Sequence, residues 1–203
     1  LNCVDPKVVH MENTFGGLTS FVVFAKALSE VDPETIEVME IESPKLSFKK
    51  INELIKKNLK RKIVVIGGNT GFDAHTVGID AIFNMKGWKG DYGLERYPEI
   101  NALNMGAQVN PKELLEKVEE LKADAVLISK IVDQKDIHLK DLKELIRLAQ
   151  EKGIKEKCLF IAGGPRITHA LALELGYDAG FSGGTLPSDV ASFIVHELIK
   201  RQK

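Results

Sequence analysis

The sequence is poor in the features that mark several classes of protein. It has two cysteines, Cys3 and Cys158, which are too few for a disulfide framework or a cysteine-rich metal cluster. No apolar run approaches the length of a membrane span, and no signal-peptide pattern stands at the start. The first residue is Leu1 and not methionine, so we expect a processed start or a longer parent chain. These features favour a cytoplasmic protein without a membrane segment.

The sequence also lacks an excess of either charge. Its 28 Lys and Arg residues nearly balance 29 Asp and Glu residues, for a formal net charge of −1. A nucleic-acid-binding surface is therefore not expected, because such surfaces concentrate positive charge. The remaining composition is ordinary for a globular protein, with 44% hydrophobic and 28% charged residues. The length of 203 residues suits one substantial domain and an extension.

After position 45, the sequence alternates between short apolar runs and longer amphipathic segments. The runs are bounded by turn-forming residues, and the alternation predicts a parallel sheet with right-handed crossovers. We predict strands over 63–66, 106–109, 125–129, 159–162 and 179–181. We predict helices over 48–61, 79–86, 94–105, 111–121, 138–152, 167–175 and 188–201. Cys158 directly precedes the fourth of these strands, at the start of its apolar run, so we expect a buried thiol there.

The first part of the chain has a different pattern. Residues 1–18 are predicted to be irregular, and two strands are predicted over 19–27 and 35–41, joined through Asp32-Pro33. A two-stranded unit is marginally stable alone, so we expect it to pack on the main domain or on a second copy. The sequence therefore predicts a small N-terminal α/β extension.

The boundary between the extension and the main domain is predicted at the breaker Ser43-Pro44. The amphipathic segment that follows has one apolar face and a lysine-rich opposite face, as a helix on the surface of a globular domain would. The predicted domains are therefore 1–45, the extension, and 46–203, the alternating α/β domain.

The most informative stretch is Asp73-x-His75-x-x-Gly78, which follows the strand predicted over 63–66. His75 therefore lies in a loop at the carboxyl edge of the sheet, where open α/β sheets bind ligands. A neutral imidazole can ligate a transition metal through one nitrogen while a nearby carboxylate accepts the N–H of the other. Gly78 leaves room for a group inserted beside the helix. A loop histidine is more often an ordinary surface residue, so the motif alone leaves both interpretations open.

This Asp-x-His-x-x-Gly motif resembles the signature of cobalamin-binding domains. Two further features of those domains recur at later strand ends, namely Ser129 and the pair Gly163-Gly164. Ile131 stands where those domains have a leucine, two residues after the serine. The resemblance implies a flavodoxin-like, Rossmann-like fold with a parallel five-stranded sheet in the order 2-1-3-4-5.

The resemblance also implies roles for individual residues. His75 would bind cobalt as an axial ligand in place of the cofactor's own nucleotide base. The displaced nucleotide tail would enter a cleft of the sheet, where Ser129 would hydrogen-bond to the base. Ser129 could instead only cap its strand, as serines at strand ends often do. The cofactor-binding residues implied are Asp73, Ala74, His75, Thr76, Gly78, Ser129, Gly163 and Gly164.

A closer resemblance covers most of residues 60–198. The runs 73–87, 92–97, 163–166 and 175–181 resemble the lysine 5,6-aminomutase β-subunit family. That family implies a 1,2-amino shift on D-lysine or β-lysine, with adenosylcobalamin and pyridoxal phosphate as cofactors. It also implies activity only with a larger α subunit, whose barrel holds pyridoxal phosphate and substrate in an α2β2 assembly. The N-terminal extension would make subunit contacts.

Lys86 carries the most specific implication. In the family resembled, the matching lysine forms a Schiff base with pyridoxal phosphate, a task that uses a nucleophilic amine. The simpler interpretation is a solvated lysine near a helix C-terminus, where the helix dipole favours positive charge. Residues 87–98 resemble an insertion that plain corrinoid carriers lack, which favours the first interpretation.

Three alternatives remain open from the sequence. An ornithine 4,5-aminomutase-type domain would use the same cofactors, although that family usually carries the domain within a larger chain. A corrinoid carrier for methyl transfer would need neither Lys86 nor the insertion. A ligand-sensing or structural flavodoxin-like domain without a corrinoid is the third. The glycine-rich stretch 67–71 matches neither dinucleotide-binding nor phosphate-loop patterns, so nucleotide binding is not expected.

Overall fold

The computed structural model describes residues 3–14, 16–28, 32, 39–131 and 136–202. The chain divides into two compact units, Leu1–Val38 and Met39–Lys203. The second unit contains all the predicted site residues and is called the main domain below. The predicted division of the chain into 1–45 and 46–203 stays a prediction.

The first unit contains an antiparallel hairpin. Strand β1 (Cys3–Thr14) pairs with β2 (Leu18–Ala27). Every residue of β2 is exposed, including its large apolar side chains, so the described part of this unit has no core of its own. Hairpins of this kind are marginally stable without further packing.

The structure settles two predictions for this unit. The strand predicted over 19–27 is confirmed by β2. The irregular structure predicted over 1–18 is wrong, because Asp5-Pro6 interrupts the pairing only locally, at a register shift within a long strand. The strand predicted over 35–41 lies mostly outside the described residues, and its last three positions are not strand.

Five parallel strands form the central sheet of the main domain. They are β3 (Ile63–Gly68), β4 (Ile100–Asn104), β5 (Ala125–Ser129), β6 (Leu159–Gly163) and β7 (Ala179–Phe181). Their spatial order is β4-β3-β5-β6-β7, so the flavodoxin-like order 2-1-3-4-5 is confirmed. The chain runs from β3 to β4 on one side and continues at β5 on the other. The β3–β5 boundary is therefore the switch point at which such sheets bind ligands.

In the described part of the chain, six α-helices accompany the sheet. They are α1 (Phe48–Leu54), α2 (Val77–Phe83), α3 (Pro111–Leu121), α4 (Ile137–Glu151), α5 (His169–Glu174) and α6 (Pro187–Arg201), with a π-helical turn (Ile55–Leu59) after α1 and a 3₁₀ helix (Leu94–Arg96). The helices predicted over 48–61, 111–121, 138–152, 167–175 and 188–201 are confirmed within a few residues. The start of α3 shows why, because the Asn110 side chain accepts a hydrogen bond from the Lys112 backbone N and Pro111 takes the first helical position. Across the described residues, no helix combines the length and apolar character needed to cross a membrane.

The segment between α2 and α3 differs from its prediction. The helix predicted over 94–105 is wrong, because it contains the short 3₁₀ helix and then strand β4, with Pro98 between them. The strand predicted over 106–109 is also wrong, since only Val109 makes an isolated bridge, to Thr70. Helix α2 ends at residue 83, so Lys86 lies beyond the helix and not at its last turn.

Two apolar cores lie on opposite faces of the sheet. Alternate residues of β3 belong to different cores, with Val65 beside α1, α2 and α6, and Ile66 beside α3, α4 and α5. Cys158 belongs to the second core, so its prediction as a buried thiol is confirmed. Its burial raises the pKa of the Cys158 thiol to about 12, which keeps it protonated and unreactive near neutral pH.

Shortened chains test where the stable domain begins. A chain that begins at Met39 should keep the unfolding free energy of the main domain. A chain that begins at Ser47 should lose about 2 kcal/mol, because Ile41 and Leu46 pack on the first core and the Leu46 backbone N donates to Ser192 Oγ at 3.0 Å. Denaturant unfolding of the two chains measures the difference. Equal stability would contradict the assignment of these residues to the core.

Candidate functional site

The loop between β3 and α2 brings Asp73 and His75 together. Asp73 is buried, and its Oδ1 accepts a hydrogen bond from the His75 backbone N at 3.1 Å and lies 2.9 Å from His75 Nδ1. A carboxylate beside Nδ1 favours the tautomer with the proton on that nitrogen, which leaves the lone pair on Nε2. The His75 side chain is 55% exposed, so the ring can meet a ligand outside the loop.

Neighbouring loops hold this pair in place. The second carboxylate oxygen of Asp73, Oδ2, accepts from the Ile131 backbone N at 2.8 Å, directly after β5. The Asp73 carbonyl accepts from the Gln108 backbone N at 3.2 Å, and the Asn69 side-chain amide donates to the His75 carbonyl. These bonds connect three loops at the carboxyl edge of the sheet. These hydrogen bonds therefore set the direction of the His75 imidazole, although the ring itself is exposed.

Gly78, in the first turn of α2, lies directly against Ser129 at the end of β5. A Cβ atom at position 78 would lie 2.7 Å from Ser129 Oγ, so a larger residue would displace that hydroxyl. Ser129 is itself buried. Residues from two separate sequence motifs therefore meet on one surface.

The glycine pair lies at the end of the next strand. Gly163 ends β6, and Gly164 follows it. The carbonyl of Lys130 packs against Gly164, where an added Cβ would lie only 2.0 Å from the carbonyl oxygen. Glycine at position 164 is therefore required for the loops after β5 and β6 to approach each other.

A cavity of about 320 Å³ opens between α2 and the carboxyl ends of β5, β6 and β7. Its walls are mainly aliphatic and aromatic, and its volume lies in the range of small-ligand sites. Four predicted site residues line it together: Gly78, Ser129, Gly163 and Gly164. His75 precedes Gly78 by less than one helical turn, so the cavity and the histidine lie at the same edge of the sheet.

The other predicted residues lie outside the cavity. Ala74 is exposed, and Thr76 holds the N-cap position of α2 without a side-chain cap bond. Lys86 is exposed in the turn after α2, and its backbone N donates to Asn84 Oδ1 at 3.0 Å. The structure therefore brings together the residues of the cobalamin motif but sets Lys86 apart from them.

Sequence reasoning missed Lys130, the residue after Ser129. Its side chain is only 1% exposed, and its Nζ lies 2.7 Å from Asp141 Oδ2 and donates to the Thr70 carbonyl. This ion pair connects the loops after β3 and β5 to α4, next to the hydrogen bond between Ile131 and Asp73. Nothing in the sequence separates this lysine from a surface lysine, because its burial depends on the packing of three distant segments.

Comparisons with known proteins agree with this geometry. Residues 63–190 match the family model described as B12 binding domain, which is more than half of the chain. The fold is similar to the solved structure of a cobalamin-binding protein from Desulfitobacterium hafniense DCB-2. The TM-score is 0.52 at 16% identity, and the match covers 77% of this chain and 68% of that one. The chain thus contains a B12-binding domain of the flavodoxin-like class.

Closer relatives define the family. The chain is 45% identical to the lysine 5,6-aminomutase beta subunit of Fusobacterium nucleatum, over 98% of this chain and 75% of that protein. The same subunit of Acetoanaerobium sticklandii is 45% identical over 97% of this chain and 75% of that protein. The D-ornithine 4,5-aminomutase subunit beta of the latter organism is 35% identical over 74% of this chain but 19% of that protein. This chain belongs to the family of lysine 5,6-aminomutase beta subunits, which confirms the resemblance stated from the sequence.

Replacement of Lys130 tests whether the buried ion pair holds the site together. Lys130→Met should lower the unfolding free energy by about 3 kcal/mol, because Asp141 and the Thr70 carbonyl lose a buried partner. The control is Lys152→Met, which breaks an exposed pair with Glu119 and should cost less than about 1 kcal/mol. Denaturant unfolding of both variants gives the comparison. Similar costs for the two would show that the Lys130 pair is not structural.

Proposed function

We propose that this chain, as a lysine 5,6-aminomutase β subunit, would hold adenosylcobalamin with His75 Nε2 as a ligand of cobalt. The observation that carries the proposal is the buried Asp73 carboxylate, 2.9 Å from His75 Nδ1, at the edge of the sheet where the cavity opens. A neutral imidazole whose other nitrogen is bound by a carboxylate is an oriented and more basic metal ligand.

The residues of the cavity fit the nucleotide tail of the cofactor. The cavity is apolar, as the flat faces of an aromatic base require, and the Ser129 hydroxyl is a polar group on its wall. Gly163 and Gly164 let a large group pass close to the backbone. Ala74 and Thr76, on either side of His75, are proposed to contact the bound cofactor.

Lys86 has the second proposed role, which is to bond pyridoxal phosphate held by the partner subunit. Lys86 would supply the nucleophilic amine for that bond, and pyridoxal phosphate would supply the aldehyde. Lys86 is exposed and does not line the cavity, so it can meet a partner while the corrinoid site is filled. Cobalt ligation and pyridoxal phosphate binding therefore fall to separate parts of one domain.

The reaction of the family is an intramolecular 1,2-amino shift, an isomerisation that needs both subunits. When bound, adenosylcobalamin supplies the radical and pyridoxal phosphate carries the migrating amine. This chain orients the first cofactor through Asp73 and His75, keeps water from its tail, and presents Lys86 to the second. D-lysine or β-lysine as substrate, a barrel-shaped partner, an α2β2 assembly and a cytoplasmic location complete the proposal.

Family membership favours this function over the ornithine-type domain and the methyl-transfer carrier. The segment 87–98 also favours the aminomutase function, because hydrogen bonds hold it against the rest of the domain. Its Asp91 carboxylate accepts hydrogen bonds from the backbone N and Oγ of Ser188, at 2.9 and 2.7 Å. A fixed segment of this kind suits a tether, meaning the bond between Lys86 and pyridoxal phosphate held by the partner subunit. A carrier for methyl transfer needs no such bond.

Nitrogen-15 labelling of histidine tests the cobalt ligand. In the full chain loaded with paramagnetic cob(II)alamin, labelling should change the axial-nitrogen splitting from the triplet of nitrogen-14 to the doublet of nitrogen-15. His75→Ala should remove the splitting that comes from the protein and weaken binding. Asp73→Asn should weaken binding by roughly 10- to 100-fold. His196→Ala, at a half-exposed histidine of α6, is the control and should change neither. A splitting that stays a triplet after the histidines are labelled would refute ligation of cobalt by His75.

Borohydride reduction tests the role of Lys86. In the complex with the partner subunit and pyridoxal phosphate, borohydride reduction should leave the cofactor covalently attached to the peptide that contains Lys86. Peptide mapping identifies the attached peptide. Lys86→Ala should remove this label and leave cobalamin affinity nearly unchanged, because the lysine does not line the cavity. Lys89→Ala, three residues away in the same segment, should still be labelled at Lys86. Label on a lysine of the partner instead would contradict the tether.

A further inference from the structure

One wall of the cavity comes from outside the cobalamin motifs. Trp88, the only tryptophan in the chain, lines the cavity with Gly78 and Ser129. It comes from the segment between α2 and the 3₁₀ helix. Among the described residues, no other member of that segment lines the cavity. The Lys89 ammonium lies 4.4 Å from the centroid of the indole, and this contact helps to hold the ring in place.

The backbone around Trp88 forms a closed turn. The Trp88 backbone N donates to the Asp91 carbonyl at 2.9 Å, and the Asp91 backbone N donates to the Trp88 carbonyl at 2.9 Å. The Asp91 carboxylate in turn accepts two hydrogen bonds from Ser188, in the first turn of α6. The position of the indole is therefore tied to the main domain.

Lys86 belongs to the same turn, which we define as residues 84–91. The backbone N of Lys86 donates to Asn84 Oδ1 at 3.0 Å, and the backbone N of Gly87 donates to the Asn84 carbonyl at 2.7 Å. Two peptide units separate Lys86 from Trp88, so their Cα atoms lie within about 7.6 Å of each other. The 84–91 turn thus presents an amine to the solvent and an aromatic ring to the cavity.

We propose that Trp88 is a specificity-determining residue for the nucleotide tail of the corrinoid, and that tail binding further stabilises the turn that carries Lys86. This inference rests on the proposed function, in which the cavity takes that tail. The indole adds a broad, flat, apolar surface, which is the surface on which an aromatic base packs well. A tail that touches Trp88 stabilises the arrangement of the turn in which the indole faces the cavity.

The two cofactor roles are then linked through one short segment. A ligand shifts a conformational equilibrium only by its differential contacts with the two states, and the indole is the contact that the tail makes with the turn. The linkage is reciprocal, so a partner that holds Lys86 in this arrangement also tightens the site for the tail. Stabilisation of the turn by the tail keeps Lys86 in the arrangement that its partner meets.

Cobinamide, a corrinoid without the nucleotide tail, supplies the control ligand for the first test. Fluorescence of the single tryptophan in the full chain should fall on binding, and titration gives the affinity. Trp88→Ala should weaken cobalamin binding about tenfold, the typical effect of losing one aromatic stacking partner. It should leave cobinamide binding unchanged, which also shows that the variant is folded. Trp88→Phe should restore part of the loss. Absorbance changes of the corrinoid measure affinity in the variants that lack tryptophan.

Hydrogen exchange provides the second test, directly on the turn. Amides of residues 84–91 should exchange on the order of tenfold more slowly at a cobalamin concentration well above Kd, because openings of the turn then compete with bound ligand. Cobinamide should give no such protection, and neither should cobalamin with Trp88→Ala. Glu95→Ala is the matched control, since Glu95 is exposed, lies outside the 84–91 turn and does not line the cavity, and it should keep the protection by cobalamin.

The outcomes separate this inference from the proposed function. Equal loss of cobalamin and cobinamide affinity in Trp88→Ala, or protection by cobinamide equal to that by cobalamin, would overturn the role of Trp88 in tail recognition. Unchanged cobalamin affinity in Trp88→Ala would do the same. In each case the nitrogen-15 splitting from His75 would still be present. Loss of that splitting in the unaltered chain would instead refute the proposed function itself.

Discussion

The site depends on one buried carboxylate. Asp73 accepts hydrogen bonds from His75 on one side and from the Ile131 backbone N on the other. A buried carboxylate is costly unless donors surround it, so the loop is stable only where both donors are present. One donor follows β3 and the other follows β5, the two strands at the switch point. The direction of the proposed cobalt ligand is therefore a consequence of sheet topology.

A second buried charge fixes the loop that supplies the donor. Lys130 precedes Ile131 and connects Asp141 in α4 to the Thr70 carbonyl after β3. Its own carbonyl packs against Gly164, so the loops after three neighbouring strands are locked in a single arrangement. The apolar cavity opens beside this arrangement. Rigid polar loops and an apolar cavity are what a large cofactor with one metal and one aromatic tail requires.

Most of the fold and part of the candidate site could be predicted from the sequence. Buried strands and amphipathic helices have distinct periods, and the Asp73, His75 and Gly78 spacing is local, so both could be found without a structure. Strand β4 was missed because it is short and because its apolar residues Ile100 and Leu103 stand three positions apart, a spacing typical of one face of a helix. The roles of Lys130 and Trp88 could not be predicted, since each depends on contacts between segments that only folding brings together.

The insertion that follows Lys86 is held to the domain at Asp91 and Tyr92, and this limits how the domain can move. Asp91 binds the start of α6, while the Tyr92 ring packs edge-on against Phe48 of α1 at 5.5 Å and beneath Arg96 at 3.9 Å. Both helices pack on the same core of the sheet. Lys86 therefore stands at a nearly constant distance from the proposed cobalt ligand. If a partner bonds Lys86, the whole main domain is held with it, because no flexible arm intervenes. Release of that bond frees the domain as a rigid body, so delivery of the corrinoid to substrate becomes a domain motion rather than a loop motion.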